Sequence, residues 1–321
     1  MSRYTHFSIE EREKSMVMKE QGKSLRTIAR ELNRSPSTIC REMKRNSERN
    51  GVYSASSAEK KYRQRRKKCC RTPMLAESGD LKAYVTERLT LGWTPDEISG
   101  RAKLDNEPFS VSYNTIYRAI ENGVIPKRFR LCLRFKRIKN RKRKNNDKRG
   151  KIPDPVSIRE RPEEAETRAE FGHWESDTVQ GKRGTGCFGT HVERKSGFLI
   201  AFRLSKKTDR LFNEATEKAF ADLPSCVKKS FTVDNGKEFW LHKELAAATR
   251  MAVYFCDPYS PWQHGTNENT NGLLRYYFPK KSSFSDISDQ RLAHVVDLIN
   301  NRPRKRLGYK TPFEVFSKCC T

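Results

Sequence analysis

This 321-residue sequence has no long hydrophobic run. Its apolar stretches end after a handful of residues, against the roughly 20 that a membrane-crossing helix needs, which excludes a transmembrane helix. The opening Met-Ser-Arg-Tyr-Thr-His carries no apolar signal-peptide core, so a cytoplasmic location is expected. Acids are scarce beside bases, 39 against 66, leaving a formal net charge of +27. Such an excess repels itself unless a polyanion neutralises it, and nucleic acid is the partner that fits. Metal-ligand spacings are missing too. The nine cysteines include no Cys-x-x-Cys, two pairs (Cys69-Cys70 and Cys319-Cys320) are vicinal, and no histidine stands at ligand spacing. A structural zinc site is thereby excluded and reduced thiols are expected. GxxxxGK[ST] does not occur, so chemistry driven by nucleotide hydrolysis has no visible site and no nucleotide cofactor is expected.

What is present is unevenly spread. Residues 1–151 hold 39 basic and 17 acidic residues, whereas residues 152–321 hold 27 and 22. In the basic half, Ser8 and Glu11 have capping-box spacing, and Ile9, Met16 and Val17 can share one face of a first helix. Gly22-Lys23-Ser24 stops that helix and caps a second, Leu25 to Leu32; Asn33-Arg34-Ser35-Pro36 then turns into a third, Ser37 to Lys44. Leu25, Ile28, Ala29, Leu32 and Ile39 form a seam, leaving Arg34, Ser35, Ser37, Thr38, Arg41, Lys44 and Arg45 outside. This spacing predicts a helix-turn-helix over 1–50, with those seven residues as DNA contacts, because polar groups at the start of the last helix are what base edges and phosphates require. The pattern recurs over 78–126, with Leu81, Val85 and Leu89, then Thr94 to Ile98, then Ser112 to Tyr117, where Asn114 is the candidate contact. Basic stretches separate the modules, a linker at 51–77 and a basic, Pro-containing one at 127–164. Within the second, Lys127 to Lys151 sets fourteen Lys and Arg against the single acid Asp147. Both runs read as phosphate-tracking segments, extended or partly helical.

From 165 to 321 the pattern changes to alternating strands and helices. Strands are predicted at 174–179, 187–193, 198–204, 227–233 and 251–255, and helices at 209–221, 238–248, 265–276 and 286–300, which is a mixed α/β order. Three acids there look costly for structure alone. Asp177 stands inside an apolar strand; Asp234 ends Phe231-Thr232-Val233 and precedes the tight turn Asn235-Gly236; Glu268 sits in a polar helix start, Pro261 to Gly272. The 33 residues between Asp234 and Glu268 suffice for a helix, a strand and entry to a second helix, a path that could bring Glu268 back beside the aspartates. Three converging carboxylates are what two divalent cations need for phosphoryl transfer on a nucleic-acid backbone.

The chain resembles the DDE transposases of the bacterial insertion-sequence-thirty family, which are related to the retroviral integrase core. The resemblance spans nearly the whole chain. It rests on Ser35-Pro36-Ser37-Thr38-Ile39 with Arg41-Glu42, on Ser157 to Pro162, on Phe171 to Asp177, on Val233 to Phe239 and on Tyr254 to Lys280. It implies helix-turn-helix modules followed by an RNase H-like catalytic domain, with Asp177, Asp234 and Glu268 as catalytic metal ligands. It further implies Mg2+ as the ion, Mn2+ also serving, and terminal inverted repeats and target DNA as partners. Family members typically cut one strand at an element end and join it through a circular intermediate. Two DNA ends must be brought together, so a homodimer or larger assembly is expected. The sequence departs from the family at Ser176, where glycine is expected, and at His264, where arginine is expected.

Neighbouring residues have competing roles. Glu175 shares a strand face with Asp177 and could be a metal ligand, but a salt bridge is the simpler reading. Glu238 suits a helix start, where an acid meets the helix dipole, and Asp257 before Pro258 suits a turn. Asn267, Asn271 and Arg275 follow one another at helical spacing beside Glu268 and are candidate DNA contacts, with capping or intrahelical bonding as the alternative. Trp262 could stack on an unpaired base or anchor its loop, and Lys280, Lys281 and Arg302 to Arg306 could track DNA or be solvated charge. Two other functions remain open, a DNA-binding regulator whose catalytic half has decayed and a structure-specific nuclease. The three intact acids count against the first and the two helix-turn-helix modules against the second.

Overall fold

Helix caps written in the sequence organise the N-terminal part of the computed structural model, which describes residues 5–48, 51–69, 72–131, 152–258 and 260–319. Ser8 Oγ accepts the Glu11 amide at 3.2 Å while Glu11 Oε2 accepts the Ser8 amide at 2.8 Å, and α1 (Ile9–Glu20) starts there. Ser24 and Ser35 cap α2 (Leu25–Glu31) and α3 (Pro36–Asn46) in the same way. Phe7, Ile28, Ala29, Ile39, Met43, Tyr53 and Ala58 form the core of this unit, Met1–Glu77. Most of the first basic run is helical rather than extended. It forms α4 (Ala55–Lys68), which lays Ala55 and Ala58 on that core; α5 (Met74–Glu77) follows. The buried Arg12 guanidinium ties three helices together, donating to Glu42 Oε1 at 2.9 Å and to Glu59 Oε2 at 2.5 Å. Removing both acids would strand a buried charge.

The second unit, Ser78–Thr321, contains a helical module and the sheet. The module is α6 (Gly79–Thr90), α7 (Pro95–Leu104), opened by a Thr94/Glu97 capping box, and α8 (Tyr113–Glu121), with Leu81, Val85, Leu89, Ile98, Ile116 and Ile120 buried. Residues 132–151, most of the second basic run, lie outside the described residues. After α9 (Glu163–Thr167) come β1 (His173–Gln180), β2 (Cys187–Glu193), β3 (Leu199–Leu204), α10 (Asp209–Phe220), β4 (Ser230–Val233), α11 (His242–Thr249), β5 (Ala252–Phe255), α12 (Gly265–Tyr277), α13 (Asp289–Asn300) and α14 (Pro312–Ser317). The helical module is fastened to the end of the chain by two forked ion pairs. Arg101 donates to both oxygens of Glu314 at 2.7 and 2.8 Å, and Arg302 holds Glu97 at 2.9 Å. Gly100 lies against the Tyr309 ring so closely that a Cβ there would stand 2.3 Å from it. No helix among the described residues is long and apolar enough to cross a membrane.

The sheet runs β3-β2-β1-β4-β5. The first three strands are antiparallel neighbours, whereas β1, β4 and β5 pair in parallel. Alternation along β1 serves two cores. Trp174 packs with Phe212, Phe220 and Phe231 beneath α10 and α11, while Val179 packs with Phe188, Leu273 and Leu274 beneath α12 and α13. Between them on this second face lie Glu175 and Asp177.

Candidate active site

Strand register alone makes two acids neighbours. Ser176 of β1 stands opposite Val233 of β4 in parallel pairing, so Asp177, within β1, and Asp234, just past the end of β4, are each the next residue along and come side by side. Their closeness shows in their protonation. Burial, and next the charge of Asp234, push the Asp177 carboxyl up to about 6. Burial, and next the charge of Glu238, raise that of Asp234. His264 pulls both the other way. Asp177 Oδ1 accepts the Thr178 amide at 2.6 Å and Asp234 Oδ1 the Gly236 amide at 2.9 Å, which fixes both carboxylates to the backbone.

Helix α12 meets β1 through two asparagines one turn apart. The fully buried Asn267 is committed to the strand, its amide donating to Glu175 Oε2 and its Nδ2 to the Glu175 carbonyl, both at 2.8 Å. This corrects the expectation of a DNA contact there, since none of its side chain is left to face outward. Asn271 Nδ2 donates to Asp177 Oδ2 at 2.9 Å, so this residue orients the aspartate, and its buried Oδ1 has no partner. The Arg275 guanidinium lies 5.9 Å from the centre of the Phe284 ring, near enough to Asp177 to feel its charge, and its buried Nη1 is also unpartnered. Glu268, on the flank of the helix beside these asparagines, is exposed. Among the described residues no three His, Cys, Asp or Glu side chains stand close enough to hold a metal ion, so the expected convergence of Asp177, Asp234 and Glu268 is incomplete here. The reason is geometric. Positions 267 and 271 face the strand, and the helical turn carries 268 round to the side. The donors that are gathered nevertheless suit a hard cation: two half-buried carboxylates, with bare buried oxygens on Asn271 and Glu238.

The acids that flank this pair are engaged in different ways. Glu175 forms a buried ion pair, its Oε1 accepting Arg194 Nη1 at 2.5 Å, which agrees with the salt-bridge reading. Glu238 is no helix-dipole residue on a surface. It is buried in a single 3₁₀ turn (Lys237–Phe239), where its Oε1 accepts Thr178 Oγ1 at 2.9 Å and Lys207 Nζ at 2.7 Å. Sequence reasoning missed Thr178, Lys207 and Arg194, whose partners lie far away in the chain. Both departures from the family pattern have local partners. Ser176 Oγ bonds His191 Nδ1 at 2.7 Å on the other face of β1, and His264 Nε2 donates to the Thr232 carbonyl at 2.7 Å. A cavity of about 400 Å³ beside the site is lined by Arg159, Arg161, Arg168, Arg194, Glu175 and the exposed Trp262.

In the N-terminal unit, Ser37, Arg41, Lys44 and Arg45 are exposed on α3 and Thr38 is half-buried. A groove of about 310 Å³ is lined by Thr38, Arg41, Arg45, Arg65 and Arg66. Two predicted contacts also have roles within the unit. Arg34 forks onto Glu11 at 2.9 and 3.0 Å and donates to the Thr5 carbonyl, while Ser35 Oγ is spent capping α3. Asn114 is exposed in the first turn of α8.

Residues 3–46 match the family described as Helix-turn-helix domain, and residues 167–261 that described as Integrase core domain. The transposase for insertion sequence element IS1086 of Cupriavidus metallidurans is 39% identical over 99% of this chain and 96% of its own length. The transposase InsI for insertion sequence element IS30C of Escherichia coli is 37% identical over 98% of this chain and 84% of its own. Among solved structures, a chain of the simian T-cell lymphotropic virus intasome in complex with PP2A regulatory subunit B56 gamma aligns at TM-score 0.38 and 21% identity, over 45% of this chain and 54% of that one.

Proposed function

We infer the reaction from the premise that this chain belongs to the IS30 family of insertion-sequence transposases, with a helix-turn-helix unit and an RNase H-like integrase core. It is a DDE-type enzyme that breaks and rejoins DNA strands, and its family works with divalent metal ions. The observation that supports the assignment to this chain's own residues is the parallel register of Ser176 with Val233, which brings Asp177 within β1 beside Asp234 just past the end of β4. On our reading Asp177, Asp234 and Glu268 are the catalytic acids and hold the ions, with Mg2+ the physiological ion and Mn2+ a substitute. Those ions would supply charge stabilisation at the reacting phosphate oxygens.

The chain's own part is to bind and orient. Ser37, Thr38, Arg41, Lys44 and Arg45 on α3, with Asn114 on α8, take the terminal inverted repeats. Asn271 and the Thr178 amide hold the Asp177 carboxylate in one orientation. Arg275, close to that carboxylate, is placed to meet the DNA backbone. In cleavage a water oxygen bonds to the scissile phosphorus as the 3′ oxygen leaves as a free hydroxyl; in joining that 3′-hydroxyl bonds to the phosphorus of a second phosphodiester as its bridging 3′ oxygen leaves as a hydroxyl. Because two element ends must meet, the working form is a homodimer or larger assembly on DNA, acting in the cytoplasm.

The deciding experiment compares wild type with Asp234→Ala on a labelled element-end duplex with Mg2+, scoring binding, cleavage and joining. Products from wild type, none from the variant and equal binding support the assignment. Equal products from both proteins would remove Asp234 from the reaction. Binding without products from wild type would favour a DNA-binding regulator.

A further inference from the structure

The sheet end holds one more acid than that reaction uses. Glu238 lies four residues beyond Asp234 and is 2% exposed. One of its oxygens is fully engaged, by Thr178 and Lys207; the other, Oε2, is buried and has no hydrogen-bond partner. Native proteins leave few such atoms unpaired, and each one calls for an explanation. Where Oε2 points supplies it. A Cβ built on Gly236 would stand 2.5 Å from Glu238 Oε2 and 2.8 Å from Asp234 Oδ1, so both oxygens border one small space that only glycine leaves open. Thr178, which holds the other oxygen, is the residue directly after Asp177. The bare carboxylate oxygen is thus locked on one side to the strand of the first aspartate and faces the second on the other.

We propose that Glu238 is a fourth carboxylate of the divalent-ion centre, a positioning residue that accepts from the ion's hydration shell through Oε2 in the space over Gly236. Lys207 and Thr178 hold it ready by occupying Oε1. Gly236 is required for room rather than for backbone freedom, since its φ of −76° is open to any residue. The proposal rests on the reading of Asp177 and Asp234 as the ion site. It extends that site to a residue whose removal should alter the ion itself, whatever happens to DNA.

Mn2+ titrated calorimetrically into the full chain without DNA tests it directly. Relative to wild type, Glu238→Gln should weaken Mn2+ binding about 10-fold, the lower end of the loss seen when an outer partner of a metal site is removed. Thr178→Val releases Glu238 Oε1 without touching either aspartate and should weaken binding likewise, which keeps the test alive if the glutamine variant does not fold. Asp234→Asn is the control. If it abolishes Mn2+ binding while both test variants bind within twofold of wild type, Glu238 is only a structural clamp and the proposal falls. If Asp234→Asn also binds normally, the ion-site reading itself falls, and the proposal with it.

Discussion

Lowering the pH from 8 to 5 should cost the sheet unit about 2 kcal/mol through one residue, His191. Its ring is wholly buried, with Phe202, Phe212, Phe220 and Phe231 centred 5.1–5.5 Å away. Thr216 Oγ1 donates to the Phe212 carbonyl at 2.7 Å and so accepts from His191 Nε2 at 3.0 Å, which leaves Nδ1 to accept from Ser176 Oγ. The pocket is therefore built for the neutral ring, and burial lowers its pKa from 6.5 to about 3. The unfolded chain protonates this residue below 6.5 while the folded chain does not, so stability is complete above that pH and is lost as pH falls toward 3. At pH 5 the gap is about 1.5 pH units, worth about 1.4 kcal/mol each, hence the figure. Other groups titrate in the same range, so the comparison is with His191→Gln, which keeps hydrogen-bonding groups near both hydroxyls but cannot titrate. Urea unfolding of both proteins at pH 8 and pH 5 gives the four free energies. Wild type should lose about 2 kcal/mol more than the variant between the two pH values. A difference under about 0.5 kcal/mol would refute the neutral, enclosed ring, and with it our account of why serine is accommodated at 176.

Three further outcomes are expected. Arg194→Met leaves the Glu175 carboxylate buried without its cation and should destabilise the sheet unit by about 3–5 kcal/mol in urea unfolding. Asn271→Leu frees Asp177 Oδ2 and should slow strand cleavage by about 10- to 100-fold with element-end affinity unchanged; lost affinity instead would make Asn271 the DNA contact that its spacing suggested. In the N-terminal unit, Arg41→Ala should weaken specific DNA binding by about 1–3 kcal/mol without changing thermal stability, whereas Arg34→Ala should lower the melting temperature by removing the fork onto Glu11.

The cytoplasmic expectation and the oxygen-ligand chemistry came from composition and motif, and the helices came from short-range signals. Ser8 with Glu11 and Thr94 with Glu97 cap helices in the structure as their three-residue spacing says they should. The predicted strands at 174–179 and 187–193 differ from those observed by at most one residue at an end. The basic 51–77 segment carries no strong apolar pattern, so nothing local announced that α4 would dock through two alanines and the distant Arg12.

Local sequence decides what depends on neighbours within a helical turn or a strand repeat: caps, periodicity, the turn after Asp234. The site depends on pairings across tens of residues. Asp177 meets Asp234 because β1 and β4 align in parallel with Ser176 opposite Val233. Asn271 reaches Asp177 across 94 positions, and Glu238 reaches Thr178 across 60. Residue type announced that Asp177, Asp234 and Glu268 were costly acids. Only the packing of α12 on β1 decided that Asn267 turns inward, that Glu268 stays at the flank, and that an oxygen of Glu238 is left bare beside Asp234, because side-chain direction is fixed by which surfaces are buried together.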